Sequence, residues 1–146
     1  MAGDSEARVA QAVASKVDSG TQWLLRREIA MLPRLLPAGE EIVHMAQGRH
    51  DGGIGLIVVT DRRLMFVEQG VAHQRVEDLP YETVSSIQAE VSVVESALTI
   101  SGVEKEVTIN QVYPKSHTMK IADYVRKRTS GPGDAGHSLG RQPEAE

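Results

Sequence analysis

Hydrophobic positions along this chain change their period once, near residue 40. Before that point they recur at helical spacing. Val9, Val13 and Val17 fall every four positions, supported by Ala10, Ala12 and Ala14, which predicts an amphipathic helix over 5–19. Asp4 or Ser5 can cap its start, and Ser19-Gly20 stops it. Thr21 can cap a second helix, in which Leu25, Ile29, Leu32 and Leu36 form one stripe and Leu24, Met31 and Leu35 widen it. Pro33 has no N–H and clashes with the preceding turn, so it predicts an end or kink near Leu32. Pro37-Ala38-Gly39 closes the helical region.

From Glu40 onward the period is two. EEIVHMAQG predicts a strand, RHDGG a turn, and IGLIVVT and RLMFVEQ two strands joined at Thr60-Asp61-Arg62. Both of these runs are apolar on both faces. Ile54, Leu56 and Val58 oppose Ile57 and Val59, and Leu64 and Phe66 oppose Met65 and Val67. Strands of this kind are buried on both faces. HQRVEDLP is polar and reads as an edge strand, while TVSSIQAEVSVV turns Ile87, Ala89, Val91 and Val93 one way. ALTIS and EVTIN flank a hairpin turn at Gly102, and Pro114 to Arg128 predicts a helix with Ile121, Tyr124 and Val125 as its stripe. The Gly- and Pro-rich segment 129–146 is expected to be disordered. Two helices, seven short strands and one helix make a mainly β, α+β protein. Seven antiparallel strands favour a curled, partly closed barrel over an open sheet with bare edges, with the last helix capping an open end.

Composition narrows the chemistry. Cysteine is absent, which excludes disulfides, thiolate metal ligands and a cysteine nucleophile, and suits a cytoplasmic location. The apolar runs are too short to span a membrane as a helix. The net charge of −4 is unevenly spread: +1 over 1–39, −7 over 40–113, +4 over 114–128 and −2 over 129–146. An acidic strand region repels phosphate backbones, so nucleic acid is not the expected ligand.

The order of elements resembles the pleckstrin-homology (PH) superfold, and the local text is similar to bacterial PH-like families, including the YokE-like group. The residues that carry the resemblance are Pro37-Ala38-Gly39-Glu40, then Ile57-Val58-Val59-Thr60-Asp61-Arg62-Arg63-Leu64-Met65-Phe66, then Leu79-Pro80-Tyr81 with Val84 and Ile87. It implies a PH-like domain over 37–128, an N-terminal helical extension over 1–36 and a tail over 129–146. One face of such a sheet fills the barrel core, and the apolar stripes at 9–17 and 24–36 are expected to cover the other, on their own sheet or on a second copy's. Phosphoinositide-binding PH domains crowd Lys and Arg around the first hairpin loop, whereas this loop offers only Arg49 and His50, opposed by Asp51.

Candidate contacts follow from these patterns. Arg62 and Arg63 can bind an anion at a hairpin tip; the plainer reading makes them turn residues, solvated or paired with Glu68 or Asp61. Arg49 and His50 add to such a patch only if the two loops share a barrel end. Arg126, Lys127 and Arg128 form either a small surface patch, or a contact with another subunit's acidic barrel, or simple complements of the helix dipole. Five histidines lack metal-ligand spacing, and no phosphate loop, nucleophile elbow or HExxH is present. The reading is therefore a non-catalytic module without cofactor that binds a protein partner or itself. Its candidate interface is Val9, Val13, Val17, Trp23, Leu25, Ile29 and Leu32, plus edge pairing along 73–79. The alternative is weak peripheral binding to anionic membrane through Arg49, His50, Arg62, Arg63 and residues 126–128.

Overall fold

A computed structural model describes residues 2–129, with side chains from Ser5 onward; the expected tail lies outside the described residues from 130 on. Three helices come first: α1 (Ala2–Lys16), α2 (Ser19–Leu24) and α3 (Arg26–Leu35). Seven strands follow: β1 (Ile42–His50), β2 (Gly53–Thr60), β3 (Arg63–Gln69), β4 (Gln74–Pro80), β5 (Val84–Val91), β6 (Ser96–Gly102) and β7 (Glu106–Tyr113). A 3-10 turn at Tyr81–Thr83 links β4 to β5, and α4 (Ser116–Thr129) closes the chain.

All described pairings are antiparallel, in the order β4-β3-β2-β1-β7-β6-β5. The sheet curls into a half-barrel. Its concave face holds one core, in which Ile57, Val59, Leu64 and Phe66 meet Leu98, Ile100 and Ile109 under Ile121 and Val125 of α4. Its convex face carries a second core, in which Leu56, Val58, Met65 and Val67 are covered by Val9, Val13 and Val17 of α1 together with Leu25, Met31 and Leu32. Full burial of each such side chain contributes about 1.5–3 kcal/mol, so the helices and the outer sheet face stabilise one another. The strands that are apolar on both faces owe that pattern to having a core on each side.

Gly48 of β1 pairs with Gly55 of β2. A Cβ on Gly55 would stand 2.5 Å from the Phe66 ring and 2.6 Å from the Val67 carbonyl. Both glycines thus leave room for larger neighbours in the concave core.

Several boundaries depart from the sequence expectation. The second helix breaks at Leu25 (φ −108°, ψ 29°) rather than at Pro33, which sits inside the last turn of α3. A proline so close to a helix end forfeits little pairing, whereas the break at Leu25 points Leu25 and Leu32 into the same core. β5 stops at Val91, so Val93 is 93% exposed and does not face inward. Ser92 starts a tight turn there, its hydroxyl accepting the Val94 and Glu95 amides, while the Lys115 ammonium holds the carbonyls of Ser92 and Val93.

Candidate functional site

The TDRR turn between β2 and β3 is built from inside. The buried Thr60 hydroxyl accepts the backbone N–H groups of Arg62 and Arg63, each at 3.0 Å, and donates to the Glu40 carboxylate at 2.6 Å. Gly39, at φ +92°, lets the chain reverse so that Glu40 enters the fold. Glu40 is only 2% exposed. Arg63 meets it through Nε at 2.9 Å and Nη2 at 3.1 Å, and also donates to the Leu35 carbonyl and the Asp78 carboxylate. These bonds, the one to Glu40 first, hold the guanidinium pKa above its usual value. The Tyr81 hydroxyl donates to the Thr60 carbonyl at 2.7 Å, and burial pushes that phenol well above the ordinary tyrosine range. Arg63 thus clamps α3, β2, β3 and β4 together, and its partners are Glu40 and Asp78 rather than Glu68 or Asp61.

Arg62 is exposed and lines an open cleft of about 720 Å³, which the Arg63–Glu40 pair also borders. Pro37, Pro80 and Tyr81 line it on one side, and Lys127, Arg128 and Thr129 at the end of α4 on the other. Arg128 is held in place: Nη2 donates to the Asp61 carbonyl at 2.8 Å, and the guanidinium lies 5.6 Å from the Tyr124 ring centre. The cleft also contains Asp61, whose carboxylate accepts the Glu41 amide, and the exposed Glu82.

Arg49 and His50 lie elsewhere. Successive hairpin turns of an antiparallel sheet sit at opposite ends, so the eight-residue β2 separates the two loops by about 25 Å. Arg49 bonds Gln111 and the Gly52 carbonyl. His50 is buried, with its ring Nδ1 2.9 Å from the Thr108 carbonyl and its ring edge on Phe66. Of the candidate cations, Arg62, Lys127 and Arg128 therefore come together, Arg126 lies on a different side of α4 beside Asp123, and the first hairpin stands apart.

The candidate interface residues divide similarly. Val9, Val13, Val17, Leu25 and Leu32 are buried in the convex core and Ile29 packs against it. Trp23 is 69% exposed, with the Arg26 guanidinium stacked 3.9 Å above its ring. Among the described residues no cluster of three or more His, Asp or Glu is arranged to hold a metal. No described helix is long and apolar enough to cross a membrane.

The sheet ends on β4 and β5. β4 is the expected edge, lined by Arg75, Glu77, Asp78 and Pro80, with Lys105 on Glu77 at 2.7 Å; charges and proline blunt an edge. β5 is different. It pairs with β6 regularly from Ser86 to Val91 and carries Ser, Ile, Gln, Ala and a single Glu along that stretch. Arg126 donates to the Ile87 carbonyl at 3.1 Å, so strand alternation turns the backbone of Ile87, Ala89 and Val91 away from β6. A groove of about 460 Å³ runs beside this edge, lined by Ile87, Gln88, Ala89, Glu90, Thr99 and Arg126. Sequence reasoning missed this edge, because β5 shows the same alternation as an inner strand.

A family model described as "Bacterial PH domain" matches residues 36–127. The chain belongs to the bacterial PH domain family. The resemblance carried by Pro37–Glu40 and the β2–β3 hairpin is borne out, and the half-barrel with its capping helix is the PH fold. A pleckstrin-homology protein of the DUF1696 family from Shewanella loihica PV-4 aligns at a TM-score of 0.51 and 14% identity, covering 72% of this chain and 92% of that one. The C-terminal domain of an unknown protein from Leishmania infantum aligns at 0.49 and 15% identity, covering 62% and 86% of the two chains. The Vps36 N-terminal PH domain aligns at 0.48 and 11%, covering 63% and 83%. The first of these supports the fold alone. No curated protein matches the chain. PH domains are generally non-catalytic binding modules.

Proposed function

We propose that this PH domain is a non-catalytic protein-binding module that takes an extended segment of a partner, or of a second copy, onto the open edge of β5. The observation that carries the reading is that edge: outward backbone groups at Ile87, Ala89 and Val91, of which Arg126 engages the Ile87 carbonyl, beside a groove floored by β5 and walled by α4. Strand addition supplies main-chain hydrogen bonds, and alternate side chains enter neighbouring pockets. The helical valines favoured from sequence for self-association already cover the convex sheet face, so they are not free to meet a partner, whereas the β5 edge and the exposed Val93 and Val94 beyond its end are.

Ala89→Pro tests it. Proline removes one outward N–H and leaves the β5–β6 ladder intact, so the variant should fold normally. Peptides selected from a random library against the wild-type protein should lose binding to this variant, and should slow amide exchange at Ile87 and Ala89 when bound. Peptides that bind both proteins equally, or protection confined to other elements, would refute the proposal. Light scattering on the full chain reports whether a second copy is the partner.

A further inference from the structure

We infer that the partner segment is a strand in which an aliphatic residue is followed four positions later by a carboxylate, and that Met119 and Arg126 of α4 select the two. This partner chemistry rests on the edge reading above. α4 is tied to β5 at both ends. Immediately before the helix, the Lys115 ammonium donates to the Ser92 and Val93 carbonyls at 2.7 and 2.9 Å. Near the helix C-terminus, Arg126 Nη2 donates to the Ile87 carbonyl at 3.1 Å. The steps from Lys115 to Arg126 rise about 16 Å along a helix, and those from Ile87 to Ser92 span about 17 Å along a strand. The helix therefore runs antiparallel to β5 and in step with it, and the groove between them holds about five extended residues.

Position along this pair fixes what each end of the groove offers. Lys115, Met119, Ala122 and Arg126 share one strip of the helix. One turn on from Lys115, Met119 draws level with Val91, then the small Ala122 with the small Ala89, and Arg126 with Ile87. Met119 is 48% exposed and Val91 42%, an apolar pair left half open. Arg126 is the cation of the groove. Its pairing with Asp123 is exposed and worth little, and the Ile87 carbonyl that it bonds keeps a second lone pair for an incoming amide. A carboxylate arriving at this end meets a guanidinium already aimed along the edge, with paired donors that fit it. Ala89 packs toward the concave core with Ile87, and strand alternation turns Gln88 and Glu90 to the opposite face, so Glu90 does not compete for Arg126. A segment antiparallel to β5 pairs its first residue with Val91 and its fifth with Ile87, sending both side chains to the α4 face. Its second residue stands opposite Glu90, which favours lysine or arginine there.

The test selects a displayed library of random peptides against the full chain and, in parallel, against Arg126→Glu. The wild-type consensus should carry an aliphatic residue and, four positions later, Asp or Glu. Arg126→Glu should turn that acidic preference into one for Lys or Arg, a reversal that a damaged fold would not produce. Among synthetic probes, TVKSTET should bind the wild type about threefold more tightly than TVKSTQT, the scale of one partly exposed ion pair. Met119→Gln should narrow the advantage of TVKSTET over TTKSTET by a similar factor, about threefold. The inference is overturned if selected peptides slow amide exchange at Ile87 and Ala89 yet show no carboxylate preference, or if Arg126→Glu keeps the acidic preference; the edge reading survives either result. Peptides that protect only other elements, or a selection that yields no binder, overturn both.

Discussion

Replacing Arg63 by methionine should expose the cost of the buried Glu40 carboxylate. In the native protein that carboxylate is 2% exposed and receives three bonds, from the Thr60 hydroxyl at 2.6 Å and from Arg63 at 2.9 and 3.1 Å. Methionine fills much of the arginine stem's volume but removes the positive charge, leaving the carboxylate with Thr60 alone. Stripping one partner from a buried ion pair costs about 3–5 kcal/mol; Arg63 keeps some solvent contact, which places the expected loss near the lower end. Glu40→Gln keeps a polar group of the same shape against Thr60 and should cost about 1–2 kcal/mol. In the double variant no charge is left buried, so its loss should fall short of the sum of the singles by about 2 kcal/mol. Urea unfolding followed by tryptophan fluorescence and circular dichroism measures all three, with an unchanged slope confirming that only stability moved. A loss below about 1 kcal/mol for Arg63→Met, or strictly additive losses in the double variant, would refute the claim that this pair locks the turn.

Two further outcomes follow from the packing. Burial first, and then the neighbouring His117, hold the His44 pKa below its ordinary value of 6.5. The unfolded chain therefore takes up this proton before the folded one does, so stability should decline as pH falls below 6.5 and His44→Gln should flatten that decline in melts recorded between pH 7.5 and 5. Gly55→Ala places a methyl group against Phe66 and the Val67 carbonyl; it should destabilise by about 1–3 kcal/mol in the same urea assay, whereas Gly52→Ala, with φ +84° but open space around it, should cost only about 1 kcal/mol of backbone strain.

The Arg63 clamp also shows why the hairpin text is so recognisable. Thr60, Arg63, Glu40 and Tyr81 form one hydrogen-bonded unit that closes the half-barrel. The most specific stretch of the sequence is therefore structural, and the residues available for binding are its neighbours. Arg62 is one position from the clamp and faces solvent. From sequence the two arginines are indistinguishable, because both are basic residues at a turn.

Period and composition determined the architecture. Side-chain direction along a strand or helix is a local property, so Val9, Val13 and Val17 announced a helix face, and the two-faced runs at 54–59 and 64–67 announced a sheet with a core on each side. Arg62, Lys127 and Arg128 were legible as candidates for the same local reason. Tertiary structure decided their grouping: antiparallel connectivity sends the first hairpin, with Arg49 and His50, to the far end of the barrel, and the capping helix delivers Lys127 and Arg128 to the TDRR turn. It also decided that the helical valines face their own sheet and that β5 is left with an unpaired edge. Such assignments depend on which distant residues meet in space, and the alternation of apolar and polar positions records only which way each residue points, not what it finds there.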